Sequence, residues 1–498
     1  MTETLQGMDP RTGESVGEPL PETPSEEVSR LAEAAAASGF TALSLGERAD
    51  LLRSVADALR ADEARIVATA DAETALGSAR LTGELARTCA QFELYAAFAE
   101  SGAHLDVVID HADPRSTPPR PDLRRWNVPL GPVAVFAASN FPLGFGVAGT
   151  DTASALAAGC PVVAKAHPSQ PGTAVLLAGI LGEHLGDAFA VVHGVEAGID
   201  LVRHPAVRAA AFTGSAAGGR ALAAEAASRP VPIPFFGEFG SLNPVVVTPE
   251  AARSRGGAIA ADFAGSMTTG AGQFCTKPGL LFLPEGHGMD EALVKALGAK
   301  ELHPLLNERL HDACLADARR LAAHDRASFL LEPASTGSGF GVTPGLVAAP
   351  ASALDDALLT ECFGPVALVL TYRDAAELER VVPRLGGNLA AAVHVLSSDD
   401  PVGRAVLPLL AEVAGRVIVN GWPTGVAVAD AQHHGGPWPA TTNAAHTSVG
   451  TGAVARFVRP VSYQGVPGAL LPEALQEDNP LMLPRRVDGA TRRADEVL

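Results

Sequence analysis

The chain has 498 residues, 47% of them hydrophobic and 19% charged, with 37 Lys+Arg against 56 Asp+Glu for a net charge of −19. That balance excludes a disordered or fibrous protein, and at roughly 100–200 residues per domain the length suffices for two to four domains with their own cores. The negative charge repels phosphate backbones and anionic headgroups, and no Lys/Arg-rich run offsets it, so neither nucleic acid nor a membrane surface is an expected partner.

In chain order, the first hundred residues read as helical. Thr23-Pro-Ser-Glu26 and Ser44-Leu-Gly-Glu47 both have capping-box spacing and each opens a segment with apolar residues at helical period. From 106 to 128, LDVVID and RWNVPL flank the Pro-rich DPRSTPPRPDL, the pattern of a hairpin or arm that leaves the main body. Trp126 to Thr150 carries no charge and is long enough to cross a bilayer, but Pro129, Pro132, Pro142 and four glycines would leave backbone groups unsatisfied in lipid. It reads instead as a buried strand, a turn and a helix.

Short apolar runs then alternate with Ala/Leu-rich segments of helical length: VAVFA (133–137), PVVAK (161–165), FAVVHG (189–194), RAAAFTG (208–214) and VPIPFF (231–236). This is the signature of a parallel sheet covered on both faces, with ligands at the strands' carboxyl ends. A second series follows in NPVVV (243–247), GLLFL (279–283), PVALVL (365–370), AAVHVL (391–396) and RVIVN (416–420), so a domain boundary is expected near Gly237 to Gly240. The Pro-rich tail after Val458 keeps Leu, Val and Tyr and is expected to pack on another surface, such as a neighbouring subunit.

Five cysteines, at 89, 160, 275, 314 and 362, form no CxxC pair, and the N-terminus shows no basic region followed by an apolar one. Together these features predict reduced thiols and a cytoplasmic protein.

Gly144-Phe-Gly146-Val-Ala-Gly149 matches G-x-G-x-x-G after a strand. The turn before it is long, however, and Lys165 stands where the fingerprint needs an acid for the ribose, so the glycines read as close packing of a helix on a sheet. Lys165, at a strand end and followed by AHPSQP without a carboxylate, suits a nucleotide with a 2′-phosphate; a solvated surface lysine is the alternative. Gly214 and Ser215 open a helix whose first-turn N–H groups can hold a pyrophosphate, or Ser215 is only a cap. Cys275 in TTGAGQFCTKPG is held by a glycine-rich backbone, as an accessible nucleophile must be, although an inert buried thiol is commoner. Glu238, directly after an apolar strand, becomes a usable general base if burial raises its pKa, or it pairs with an arginine. Asn140, at the end of the first strand, can stabilise an oxyanion with its amide or simply shape a turn. Glu361 can bind ribose hydroxyls and Phe363 can bear on a flat ring.

SNFPL, AKAHPS, FTGS, GEFGSLNP, GQFCTKPG and ECFGPV, in that order from roughly 20 to 460, resemble the aldehyde dehydrogenase superfamily. Within it, KAHPS, CTKPG, HHGGPWPATT (433–442) and TSVGTGAVARFVRPVSYQ resemble the branch that oxidises α-ketoglutaric semialdehyde (2,5-dioxopentanoate) to 2-oxoglutarate; another short or medium-chain aldehyde is the alternative. The resemblance implies an α/β fold: a Rossmann-like cofactor domain at 1–107 and 130–237, an α/β catalytic domain at 238–445, and a β oligomerisation arm with the C-terminal tail at 108–129 and 446–498. It implies a homodimer or homotetramer. Cys275 would be the nucleophile, Asn140 and the Cys275 N–H the oxyanion donors, and Glu238 the activator of the hydrolytic water. Lys165, Ser169, Gly214, Ser215, Glu361 and Phe363 would bind the cofactor, and the helix after Asn140 would line the substrate tunnel.

Pro168 replaces a glutamate that many NAD-preferring relatives carry three residues after the lysine, which favours NADP, with NAD possible. RSRGG at 253 to 257 is expected in a surface loop, and Lys277, Arg456 and Arg459 are candidate cations for a substrate carboxylate. His433 and His434 have no third ligand at metal spacing, so no metal is expected and they are assigned to a loop near the tunnel mouth. Two competing functions are a thiol hydrolase using Cys275 and Glu238 without cofactor, and a catalytically silent scaffold.

Overall fold

The computed structural model describes residues 4–493. The chain opens with an antiparallel hairpin, β1 (Thr4–Asp9) and β2 (Glu14–Pro21), where only helix was expected. Both strands are polar and largely exposed, so they lack the apolar alternation that announces a strand. Helices at Ser25–Ala37, Leu45–Ala61, Glu63–Thr74 and Ser78–Glu100 follow. The Ser44 box forms as expected: its hydroxyl accepts from Glu47 N at 3.2 Å, and Glu47 Oε2 accepts from Ser44 N at 2.9 Å. The Thr23 box does not form. Its hydroxyl accepts from His193 N at 2.9 Å, and Pro24, extended at φ −64°, ψ 150°, caps the helix instead.

β3 (Val107–Asp110) and β4 (Leu123–Pro129) pair antiparallel around the Pro-rich segment. Next come β5 (Val133–Phe136), β6 (Val162–Lys165), β7 (Phe189–Val192), β8 (Ala209–Thr213) and β9 (Phe235–Glu238), all parallel, in the order β7-β6-β5-β8-β9. Prolines 230, 232 and 234 delay the last strand, because each lacks the N–H a ladder needs; Glu238 therefore lies inside β9 and not after it.

The second sheet comprises β10 (Pro244–Val247), β11 (Leu280–Pro284), β12 (Ser328–Leu331), β13 (Gly345–Pro350), β14 (Val366–Tyr372), β15 (Asn388–His394) and β16 (Ala414–Val419). Its order is β12-β13-β14-β11-β10-β15-β16, parallel except for β12. The tail forms β17 (Val458–Gln464), β18 (Arg485–Val487) and β19 (Ala490–Arg492); β17 pairs with β4 and β18 with β3, so the tail's apolar residues pack on the arm of their own chain.

Two further expectations are corrected. RSRGG (253–257) lies inside the helix Pro249–Thr268, where Arg255 donates to Val395 O at 2.9 Å and to Asn420 Oδ1 at 2.8 Å. The residues after Asn140 form successive turns, and a helix begins only at Thr150 and runs to Ala158, wholly buried. A Cβ on Gly146 would stand 1.8 Å from Pro142 O and one on Gly149 2.6 Å from Gly144 O, so these glycines let the backbone fold on itself. No helix among the described residues is long and apolar enough to cross a membrane.

Candidate active site

Parallel topology brings the singled-out residues together. Asn140 follows β5, Lys165 ends β6, Gly214 and Ser215 follow β8, and Glu238 ends β9, at the carboxyl ends of strands that are neighbours in the sheet. Facing them are segments entering the second sheet: Cys275 before β11, and Glu361 and Phe363 before β14. A cleft of about 160 Å³ between the two is lined by Asn140, Gly214, Ser215, Glu238, Cys275, Glu361 and Phe363.

The Cys275 loop is held by amides. Asn243 Nδ2 donates to Cys275 O at 2.8 Å and to Lys277 O at 2.9 Å. Lys277 is buried and its Nζ donates to Cys362 O at 2.6 Å, Gly364 O at 3.0 Å and Val366 O at 2.7 Å. It therefore ties the nucleophile loop to the Glu361–Phe363 segment and has no free donor for a substrate. Asn140 Nδ2 donates to Gln273 O at 2.9 Å, which leaves its second hydrogen for an oxyanion. The Asn140 carbonyl accepts from Arg80 at 2.6 Å, and the Arg80 guanidinium lies over the Phe141 and Phe274 rings. Glu84, buried on the same helix, accepts from Leu143 N and Gly144 N at 2.9 Å each and anchors the turns that follow.

His434 is buried between the two catalytic candidates and not at the mouth of the cleft. Its Nε2 lies 3.7 Å from Cys275 Sγ and 3.1 Å from Glu238 Oε1. Glu238 Oε2 accepts from Ser448 Oγ at 2.9 Å, whereas the buried Oε1 has no aligned hydrogen bond. Burial would raise the Glu238 carboxyl, but the adjacent His434 and the hydrogen bond from Ser448 outweigh it. The net direction is down, opposite to the expectation from burial alone. Burial and the Glu238 charge push the Cys275 thiol well above its ordinary range.

Burial lowers Lys165 to about 8, opposed by Glu22, a carboxylate the local sequence did not reveal. Glu22 Oε1 accepts from Glu196 N at 2.8 Å at the start of the neighbouring helix. The hydroxyl of Ser215 accepts from Gly218 N at 3.3 Å, and the Ala216 and Ala217 N–H groups make no hydrogen bond among the described residues. Ser169 stands beside the cleft and not on its wall; its hydroxyl accepts at 3.0 Å from Asn307, which does line it. Glu361 presses against Gly240, where a Cβ would meet its carboxylate at 1.8 Å, and burial raises it to about 7.

Arg456 is committed to Asp151 at 2.7 Å, and Arg459 is exposed on β17, so neither of these nor Lys277 offers a free charge at the thiol. Two arginines that the motifs did not single out do lie within electrostatic range of Cys275. Half-buried Arg87, one turn beyond Glu84, interacts electrostatically with that carboxylate; Arg416 on β16 is steadied by Gly425 O at 2.8 Å and by Pro423 O. No sequence pattern marks either one, because both reach the thiol only through the tertiary fold.

Residues 1–437 match the aldehyde dehydrogenase family. The chain is 44% identical to alpha-ketoglutaric semialdehyde dehydrogenase 2 of Azospirillum brasilense, over 98% of this chain and 96% of that one. It is 41% identical to alpha-ketoglutaric semialdehyde dehydrogenase of Acinetobacter baylyi, over 89% and 87%. A variant of aldehyde dehydrogenase C from Pseudomonas syringae, solved with NAD+ and octanal, shares the fold at TM-score 0.79 and 18% identity over 94% of this chain and 95% of that one. These matches and the convergence of Cys275, Glu238 and Asn140 on one cleft lead to a single conclusion: the chain belongs to the aldehyde dehydrogenase family of NAD(P)-dependent enzymes.

Proposed function

We propose that the protein oxidises α-ketoglutaric semialdehyde to 2-oxoglutarate through a covalent Cys275 intermediate. Arg87 and Arg416, which interact electrostatically with Cys275 from outside the cleft wall, are the candidate cations for an aldehyde ending in a carboxylate. The names of the Azospirillum and Acinetobacter relatives support the same choice. Family membership replaces the cofactor-free hydrolase and the silent scaffold as accounts of the chain.

The residues fit NAD(P). Unbonded first-turn N–H groups after Ser215 suit a pyrophosphate, Lys165 an adenosine ribose, and Glu361 with Phe363 the nicotinamide end. We assign 1–107 and 130–237 to cofactor binding, 238–445 to catalysis, and 108–129 with 446–498 to assembly of a dimer or tetramer. NADP is the proposed cofactor, because the Lys165 loop carries no carboxylate and Glu22 is engaged by helix amides; NAD is the alternative.

Cys275 rests as a thiol, so addition to the carbonyl requires a proton acceptor. His434, 3.7 Å from the sulfur, is the group placed to take that proton. The second Asn140 N–H and the Cys275 N–H hold the oxyanion of the thiohemiacetal. Bound NAD(P) supplies the hydride acceptor. Oxidation leaves a Cys275 thioester, and Glu238 Oε1, buried without a hydrogen bond and opposite the sulfur, draws a proton from water as it attacks. Sulfur then leaves and the free acid forms.

The test follows reduced cofactor at 340 nm with NADP and with NAD, on the dioxo acid, on other semialdehydes with a distal carboxylate and on uncharged aldehydes of the same length. Preference for the dioxo acid with NADP supports the proposal; equal kcat/KM on the uncharged series overturns it.

A further inference from the structure

We propose that Cys275, His434 and Glu238 form a binding site for a zinc ion that shuts the enzyme down reversibly. The inference needs no choice of aldehyde or cofactor, because it rests only on the three side chains. Cys275 Sγ, His434 Nε2 and a Glu238 carboxylate oxygen all lie within 4.8 Å of one another, with 3.7 Å between sulfur and nitrogen and 3.1 Å between nitrogen and oxygen. Zinc bonds of about 2.3 Å to sulfur and about 2.0–2.2 Å to nitrogen and oxygen, at tetrahedral angles, put those pairs about 3.6 Å and about 3.4 Å apart. Shifts of a few tenths of an ångström close these two differences, the sulfur–oxygen pair, within 4.8 Å, has about 3.6 Å to reach, and the cleft supplies the open fourth position.

The oxygen that faces the cluster, Glu238 Oε1, is buried without a hydrogen bond, while Oε2 is fixed by Ser448 at 2.9 Å. The carboxylate is therefore oriented by an outer partner with one oxygen left for a ligand, as at built metal sites. Spacing in sequence hides the set, since 238, 275 and 434 follow no zinc pattern and His433 is not part of it. On binding, the S–H bond breaks, a Zn–S bond forms and the proton passes to solvent; no electron moves. The nucleophile and the hydrolytic carboxylate are both occupied, so addition and deacylation stop together.

The experiment titrates the reduced full-length protein with Co2+ and then Zn2+ in the absence of cofactor. One equivalent of Co2+ gives a thiolate charge-transfer band and the strong visible bands of four-coordinate cobalt, and Zn2+ removes both. Cys275→Ser abolishes the charge-transfer band. His434→Ala weakens binding by about 100-fold or more, since losing a ligand costs at least as much as the about 10–100-fold of losing an outer partner. A readout on the unaltered protein accompanies these: Zn2+ protects Cys275 from iodoacetamide, scored on the peptide that contains it, and chelator restores both labelling and oxidation. Six-coordinate cobalt spectra, equal affinity in His434→Ala and Glu238→Gln variants of native stability, or unprotected labelling at saturating zinc would overturn the site. None of these outcomes depends on turnover, so the aldehyde assignment stands or falls separately.

Discussion

Glu361 is a carboxylate placed to titrate near neutral pH. Burial holds its carboxyl up at about 7, with the Lys277 charge acting in the opposite direction, and only the ionised form accepts hydrogen bonds from cofactor hydroxyls without giving up its own proton. As pH falls through 7 the site therefore exchanges a charged acceptor for a weaker neutral one. With a pKa of about 7 the ionised fraction is about 90% at pH 8 and about 10% at pH 6, so the Kd for NAD rises by up to about tenfold across that interval. NAD is the ligand for this test because a 2′-phosphate would titrate in the same window. The assay is calorimetric titration of NAD into Cys275→Ser protein at half-unit pH steps, repeated on the Cys275→Ser, Glu361→Gln double variant. Lys165, lowered to about 8, contributes at the alkaline end in both proteins and cancels in the comparison. The double variant should bind NAD more weakly at pH 8 and show a flat profile below 7.5. An unchanged slope without the carboxyl would refute the assignment of Glu361 to the nicotinamide end.

Other perturbations reach the remaining parts of the site. Glu238→Gln should keep a pre-steady-state burst of reduced cofactor while steady turnover falls about 10²–10⁴-fold, the usual reach of a general base; loss of the burst would place Glu238 in the addition step as well. Arg87→Met should raise KM for the dioxo acid about 10–100-fold, matching about 1.5–3 kcal/mol for a charged hydrogen bond, and leave an uncharged aldehyde nearly unaffected. Equal losses on both would make Arg87 structural. Lys277→Met removes a shared donor from three buried carbonyls, of which Gly364 O keeps Val366 N, and should cost on the order of 2–4 kcal/mol in urea unfolding, with Cys275 labelled faster in the folded protein; a loss under about 1 kcal/mol would refute the staple.

The legible parts of the fold were those announced by a buried apolar run. VAVFA, PVVAK and GLLFL became strands because both faces of a covered parallel sheet select such runs. β1 and β2 were illegible since their exposed, polar residues carry no period, and Thr23 failed as a cap because tertiary contact with His193 N claimed its hydroxyl. In the site, Cys275, Glu238 and Asn140 were visible because each sits in a glycine- or proline-marked turn at a strand end. His434 was set aside on ligand spacing, which tests only sites built from one stretch of chain. Lys277 looked like a candidate for a carboxylate because sequence cannot show that three carbonyls already occupy its ammonium.

The glycine run at 144–149 shows why a phosphate fingerprint must be judged by its N–H groups and not by its glycines. A phosphate loop works by aiming free amides at the anion. Here Leu143 N and Gly144 N donate to Glu84, Phe145 N to Phe141 O, Gly149 N to Gly146 O and Thr150 N to Gly144 O. A loop with these five donors spent, two of them on a buried carboxylate, offers little to a phosphate and would set the Glu84 charge behind it. The same bonds make the loop a stiff platform that fixes Asn140, whose carbonyl Arg80 holds and whose amide points toward the Cys275 side of the cleft. Phosphate recognition falls instead to the helix after Ser215, where Ala216 and Ala217 keep their N–H groups unbonded. The proposed division, one strand end for the oxyanion and its neighbour for the cofactor, follows from where the backbone donors are already used.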